Sequence, residues 1–262
     1  MADAAATSAI PAMLTLAERE LVRFFRQRNR VFGALGQPII FWLLFSEGLK
    51  GRDLDYAHFF PGTLAMILLF TSIFASISII EDRREGFLQS VLVAPAPRWS
   101  MVAGKILGSA AIAWLQGLLF LVLGWLTLGL DSSLPQLFFA VILMAVIAVA
   151  LAALGFLLAW RMDSTAGFHA VMSVLLFPMW LLSGAFFPGG GEGWMAWVVR
   201  LNPLTYGVAG LRHHLQFTSG ADVATAAVPN VALCWLVSLG FAAAMCAAAW
   251  KIAETRTTAD LL

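Results

Sequence analysis

Long apolar runs alternate with short polar segments along most of the chain. Six of these runs have the length that crosses a hydrocarbon core of about 30 Å as an α-helix. They cover residues 31–49, 59–80, 102–128, 137–160, 168–187 and 228–250. The alternation of apolar and polar residues that a membrane β-barrel needs is absent. The pattern therefore predicts an all-α, polytopic membrane protein with six transmembrane helices.

The first 30 residues have a different pattern. Leu14, Leu21 and Phe24 recur on one helical face, and arginines such as Arg19 and Arg23 occupy the other. This pattern predicts an amphipathic helix that lies in the membrane interface with its arginines near anionic headgroups.

The longest polar interruption, residues 81–105, separates the second and third runs. Phe87, Leu88 and Leu92 recur there at helical spacing, and two prolines follow them. We interpret residues 84–92 as a short amphipathic helix that offers a docking face to a soluble partner. The alternative is an ordinary solvated loop that lies on the lipid headgroups.

A second long segment, residues 188–227, precedes the last run. Trp194, Trp197 and Leu201 recur at helical spacing, and the chain then breaks at Asn202-Pro203. We predict two short re-entrant or interfacial helices that form an outer cap over the bundle. The alternative is that both helices merely lie on the outer leaflet.

Composition and charge support this organisation. The chain is 61% hydrophobic and 12% charged, and no basic cluster is dense enough to suggest a nucleic-acid partner. With both termini in the cytoplasm, twelve of the 16 basic residues lie on the inner side, as the positive-inside rule favours. Residues 1–30 are then a cytoplasmic helix, 31–250 the transmembrane domain and 251–262 a cytoplasmic tail.

The sequence contains few candidates for chemistry. It has no GxxxxGK[ST] phosphate-binding loop, because Gly104-Lys105 is followed by Ile106. We therefore expect no ATP hydrolysis by this chain, no catalytic residue and no cofactor. His213 and His214 are adjacent and point to different helix faces, so we expect no shared metal.

The interiors of the predicted spans are uncharged. No Asp, Glu, Lys or Arg lies near a predicted midplane, which argues against a carrier driven by an ion gradient. Gly104 and Gly108 form a GxxxG pattern that predicts a close helix contact. Trp42, Trp160 and Trp250 lie near predicted span ends, where aromatic rings favour the interface.

Two stretches resemble a known family. They are E-D-R-R-E-G-F-L-Q-S-V-L-V-A-P at residues 81–95, followed by Gly104-Lys105, and L-N-P-L-T-Y at residues 201–206. Both are similar to the permease subunits of type-2 ATP-binding-cassette exporters, which include daunorubicin-type drug, nodulation-factor and O-antigen exporters. The resemblance covers essentially the whole chain. It departs at Phe87, where Thr is usual, and at Gln89, where Glu is usual, and both positions bear on partner specificity.

The resemblance implies a half-transporter in a bacterial-type inner (plasma) membrane. A second permease subunit, as in a homodimer, would pair with this chain, and two copies of a separate ATPase subunit would hold ATP and Mg. The residues that would couple to the ATPase are Glu81, Arg83, Arg84, Glu85, Gly86, Phe87, Leu88, Gln89 and Leu92. The residues that would line the substrate path between subunits are Gln37, Phe41, Phe45, Ser72, Ser76 and Trp180.

The cargo is open. A path without fixed charge favours an amphipathic drug, a lipid or a glycolipid, and a polysaccharide stays possible because aromatic rings stack on sugars. Two other functions are considered. One is an intramembrane transferase that uses His213 or His214 with Glu192 and Asp222, and the other is an ATP-independent secondary carrier.

Overall fold

The computed structural model describes residues 2–48, 56–94, 96–129, 131–185, 193–216 and 229–255. The α-helices in these ranges are α1 (Ala2–Arg26), α2 (Arg28–Gly48), α3 (Tyr56–Arg84), α4 (Phe87–Val93), α5 (Arg98–Leu128), α6 (Leu134–Trp160), α7 (Thr165–Trp180), α8 (Trp194–Leu201), α9 (Pro203–His214) and α10 (Val231–Thr255). α7 continues into one π-helical turn, Leu181–Ala185. These described ranges contain no strand, and the predicted all-α fold is confirmed.

Five helices in the described ranges are long and apolar enough to cross a membrane. They are α3, α5, α6, α7 with its π-helical turn, and α10. The chain is thus a multi-pass membrane protein. α2 covers most of the predicted first span and has 21 residues, but it is not among these five. The count of six spans therefore stays a prediction.

α3 lies at the centre of the bundle. Its most apolar window is 89% buried within the chain, whereas that of α10 is 17% buried. Phe60 of α3 stacks on Phe120 of α5 with ring centroids 4.5 Å apart, and Trp42 of α2 packs edge-on against both. Trp42 and Trp160 are buried within the chain, whereas Trp250 is 50% exposed. The interfacial position of these three rings stays a prediction.

The boundary between α3 and α4 differs from the prediction. α3 continues through the charged residues 81–84 to Arg84, so the prediction that the short helix begins at residue 84 is wrong. Gly86 has a φ of 75°, a left-handed conformation that glycine adopts without steric cost. This turn lets the chain leave the long helix and start α4 at Phe87.

The GxxxG pattern of α5 contacts α1. A Cβ atom on Gly104 would lie 2.7 Å from the carbonyl oxygen of Met13 and 2.9 Å from Cβ of Leu16. A Cβ atom on Gly108 would lie 2.7 Å from Cβ of Glu20. The predicted close helix contact is confirmed, and its partner is the amino-terminal helix. α1 is therefore packed tightly against the bundle along this face.

We expect Gly104→Ala to weaken this contact. The added methyl group meets backbone of α1, so the helices must separate, at a cost of about 1–3 kcal/mol as in other overpacked cores. Gly240→Ala in α10 is the matched control, because nothing lies within 4 Å of its Cβ position. This control should raise stability by roughly 0.5–1 kcal/mol. Thermal unfolding in detergent measures the stability of both variants. A change of the unfolding temperature in the same direction for both would contradict the contact between α1 and α5.

The outer cap begins with two short helices, as predicted. Asn202 ends α8, and its side-chain oxygen accepts a hydrogen bond at 3.0 Å from the backbone N–H of Leu204, near the start of α9. The Nδ2 atom of Asn202 donates to the carbonyl oxygen of Met179 in α7 at 2.6 Å. α9 is mostly buried against α6 and α10. Of the predicted cap, only residues 193–216 are among the described residues.

Candidate coupling site

α4 lies where α3 ends and α5 begins, and it has two distinct faces. Leu88 is only 1% exposed and packs into the main hydrophobic core. Three partly buried side chains pack against the same core: Phe87, Val91 and Leu92. The exposed side chains of the helix are Gln89, Ser90 and Val93. The expectation that Leu88 faces a partner is therefore wrong, because its side chain fastens α4 to the chain itself.

Phe87 is covered by a guanidinium group from α1. The Cζ atom of Arg19 lies 3.7 Å from the ring centroid of Phe87, well within the range of a cation–π interaction. The hydrogen bond from Arg19 to Asp82 raises the pKa of this guanidinium, although burial acts in the opposite direction. Arg19 therefore stays charged, and it links α1 to the first residue of α4.

Five charged side chains from α1, α3 and α5 meet beside α4 and form what we call the charge cluster: Arg19, Glu20, Arg23, Asp82 and Lys105. Asp82 is at its centre. Its Oδ1 atom accepts hydrogen bonds from Nη2 of Arg19 and Nη1 of Arg23, both at 2.8 Å. Its Oδ2 atom accepts from Nη1 of Arg19 at 3.0 Å and from Nζ of Lys105. One carboxylate thus joins three cations from two other helices.

Lys105 completes the charge cluster. Its Nζ atom also donates to Oε1 of Glu20 at 2.6 Å, and the side chains of Lys105, Glu20 and Asp82 are all buried. A buried charge is tolerated only when it is paired and hydrogen-bonded, and loss of one partner leaves an uncompensated ion. The charge cluster therefore fixes the relative positions of α1, α3 and α5 at this end of the bundle.

Arg83 and Arg84 bind the connection between α6 and α7. Arg83 donates to the carbonyl oxygens of Trp160 at 2.7 Å and Met162 at 2.9 Å. Arg84 donates to the carbonyl oxygen of Asp163 at 2.9 Å. Both predicted coupling residues are therefore held by the chain's own backbone, and they fix a second connection beside α4.

The two predicted glutamates differ in exposure. Glu81 is partly buried, and its Oε2 atom accepts a hydrogen bond from Nη2 of Arg23 at 2.8 Å. Glu85, in the turn before α4, is mostly exposed and lies 3.6 Å from the same guanidinium. Of these two glutamates, Glu85 is therefore the more accessible from outside the chain.

Glu20, Asp82 and Lys105 were not predicted to act together. They are 23 to 85 positions apart in sequence, so no local window joins them. The sequence signal that could have indicated their pairing is an acidic residue, Asp82, and a lysine, Lys105, in helical stretches next to apolar spans. Such positions require a partner of opposite charge.

The predicted path residues fall into two groups. Ser72 and Ser76 are buried inside the chain, and their hydroxyl groups donate to the carbonyl oxygens four residues earlier at 2.7 and 3.0 Å. Trp180 is also buried and donates to the carbonyl oxygen of Gly62 at 2.8 Å, while the ring of Phe41 packs against it. These contacts give all four a packing role within one chain. The side chains of the other two lie outside the described residues: Gln37 and Phe45.

The two adjacent histidines join helices. The Nε2 atom of His213 lies 2.8 Å from the carbonyl oxygen of Pro229. The Nε2 atom of His214 accepts a hydrogen bond from Nε1 of Trp235 at 3.2 Å. Glu192 and Asp222, which the transferase hypothesis pairs with them, lie outside the described residues. Both histidines fasten the cap to α10 or to the residues just before it.

A family model described as "ABC-2 type transporter" matches residues 11–215, which include most of α1, the charge cluster, α4 and most of the cap. The chain belongs to the ABC-2 type transporter family. ABC-2 membership makes it a transmembrane permease of an ABC transporter, and such a permease works with an ATP-binding subunit.

Three relatives illustrate this ABC-2 assignment. The transport permease ycf38 of Cyanophora paradoxa is 26% identical over 217 residues, which cover 78% of this chain and 73% of the relative. Its counterpart in Porphyra purpurea is 24% identical, with 76% and 72% covered. The multidrug ABC transporter permease YbhR of Escherichia coli (strain K12) is 26% identical over 159 residues, 59% of this chain and 42% of YbhR.

Proposed function

We propose that this permease exports an amphipathic drug, a lipid, a glycolipid or a polysaccharide with energy from a separate ATPase subunit. One observation carries the proposal. α4 is a short helix with one exposed face between two membrane-length helices, and its position is fixed by buried charges and a buried leucine. A rigid element of this kind can transmit motion from a soluble subunit, since a loosely held loop would absorb it.

The proposed assembly has two permease subunits and two ATPase subunits. The ATPase subunits bind ATP and Mg, because the permease sequence lacks a phosphate-binding loop. The permease spans the inner (plasma) membrane in this proposal, with both termini and α4 in the cytoplasm. The positive excess around α4 supports this orientation.

The contact with the ATPase involves the exposed part of α4 and its preceding turn. Gln89, Ser90 and Val93 are exposed on the helix, and Glu85 is exposed in the turn. Leu88 and the charge cluster hold this surface from behind. The predicted coupling residues therefore divide into those that touch the partner and those that position the contact.

The cargo is inferred from the character of the membrane helices. The five membrane-length helices in the described ranges are apolar, which suits a hydrophobic or lipid-like molecule. The name of YbhR refers to multidrug transport, and this relative supports a drug as one cargo class. The transferase alternative has no support from the described residues, because both of its histidines already make packing contacts.

A reconstitution experiment tests the energy source. The purified chain alone should show no ATP hydrolysis above background and no ATP-dependent movement of a fluorescent phospholipid or a hydrophobic dye in vesicles. Addition of its ATP-binding subunit should give both activities. The control is the same complex with an ATPase subunit that binds but does not hydrolyse ATP. ATP-driven movement by the chain alone would refute the proposed division of labour.

A further inference from the structure

A groove of about 520 Å³ lies between α5 and α10, and α6 forms its floor. Its lining is apolar. Trp99, Ala103 and Leu107 form the α5 wall, Val149 the floor, and Cys246 and Trp250 the α10 wall. The groove contains none of the predicted path or coupling residues.

The groove lies among helices that cross the membrane. α5, α6 and α10 are all membrane-length, and α10 is the least buried of the five membrane-length helices in the described ranges. Trp99 and Leu107 are eight residues apart, so the groove runs about 12 Å along α5. One leaflet of a ~30 Å hydrocarbon core is about 15 Å deep. The groove therefore fits within a single leaflet, on the side of α4.

The mouth of the groove has the features of a headgroup region. Trp99 and Trp250 are 41% and 50% exposed, and Nε1 of Trp250 donates to Oε1 of Glu254 at 2.6 Å. Arg98, the first residue of α5, donates to a backbone carbonyl of α10 at 3.3 Å. Lys251 follows Trp250 on exposed helix surface. Among the described residues, the charged side chains near this mouth include two basic groups, Arg98 and Lys251, and one carboxylate, Glu254.

An acyl chain suits the groove better than water or a polar ligand. Water needs two to four polar partners, and an apolar lining offers none. Basic residues between membrane helices favour anionic headgroups, and aromatic rings at the same level are typical of the interface. We propose that this groove binds one acyl chain of an anionic phospholipid, whose headgroup lies beside Arg98 and Lys251. The lipid would then fill the gap between α5 and α10 as a structural component, independently of the transported cargo.

Substitutions that fill the groove test the proposal. Ala103 faces the groove, so Ala103→Phe, and the smaller change Ala103→Leu, should occupy the volume that the acyl chain needs. Ala244→Phe is the control, because Ala244 is exposed on α10 and lies outside the groove lining. Each chain is purified from vesicles of equal parts phosphatidylglycerol and phosphatidylethanolamine, and native mass spectrometry counts the retained lipid.

We expect wild type and Ala244→Phe to retain one phosphatidylglycerol molecule per chain. The occupancy in Ala103→Phe should fall about tenfold, which corresponds to roughly 1.4 kcal/mol of binding free energy, and Ala103→Leu should give an intermediate value. If Ala103→Phe fails to insert into the membrane, Ala103→Leu still tests the proposal. Equal retention by wild type and Ala103→Leu would overturn the proposal.

A second variant tests the headgroup. Lys251→Gln should lower the preference for phosphatidylglycerol over phosphatidylethanolamine while the total lipid retained changes little. If the wild-type chain retains the two lipids in the same ratio as in the vesicles, the assignment of an anionic ligand is overturned.

Discussion

Asp82→Asn should strongly destabilise the purified chain. The neutral amide cannot compensate Arg19, Arg23 and Lys105, and Lys105 would be left buried with only Glu20. Breaking a buried ion pair by removing one partner costs about 3–5 kcal/mol. Thermal unfolding in detergent, followed by the fluorescence of the ten tryptophans, measures the loss.

Asp163→Asn is the matched control for this prediction. It is the same chemical change in a carboxylate that is paired with Arg83 at 3.0 Å but is 90% exposed. Exposed ion pairs contribute about 0–1 kcal/mol, so the unfolding temperature should change little. Similar shifts of the unfolding temperature in the two variants would mean that burial does not determine how much the charge cluster contributes to stability.

The two faces of α4 should give opposite phenotypes. Leu88→Ala removes a fully buried side chain and should lower stability by about 2–5 kcal/mol, as for other buried leucines. Val93 is 77% exposed, so Val93→Asp should leave stability unchanged and prevent co-purification with the ATP-binding subunit. Unfolding curves and quantitative co-purification of both variants measure the two effects.

Val93→Thr separates shape from polarity in this experiment. Threonine keeps the shape of valine, so assembly should be reduced less than in Val93→Asp, where a charge must be desolvated. Normal assembly and transport in Val93→Asp would show that the ATPase does not contact this end of α4. The coupling surface would then have to involve the other exposed residues: Glu85, Gln89 and Ser90.

Local patterns predicted the helices well, because each apolar run must satisfy its backbone within itself in a membrane. The break at Asn202-Pro203 was predictable for a local reason too, since proline is accepted at the first position of a helix and asparagine caps it. Both features depend on residues that are neighbours in sequence.

Residues 81–84 were predicted to lie outside the second span, because four charged residues occur together there. They remain helical because partners from α1 and from the α6–α7 connection neutralise or bind them. Those partners are 58 to 79 residues away in sequence. Tertiary pairing therefore overrides a local signal that normally indicates solvent.

Ser72 and Ser76 show what a local pattern leaves open. The resemblance places them along a substrate path, and a helix can also satisfy a serine hydroxyl with the carbonyl oxygen of the preceding turn. The sequence contains the same residue in either case. The structure shows the hydrogen bonds within α3, and the role of both serines in a substrate path stays a prediction.

The attachment of α1 also has a consequence for synthesis of the chain. Lys105, the buried partner of Glu20, is translated 85 residues later. At about 5–20 residues per second, that interval is roughly 4–17 s. During this time Glu20 has to remain hydrated, so α1 cannot take its final place before α3 and the start of α5 have emerged. α1 is therefore expected to dock after α3 and the start of α5, although it is translated before them.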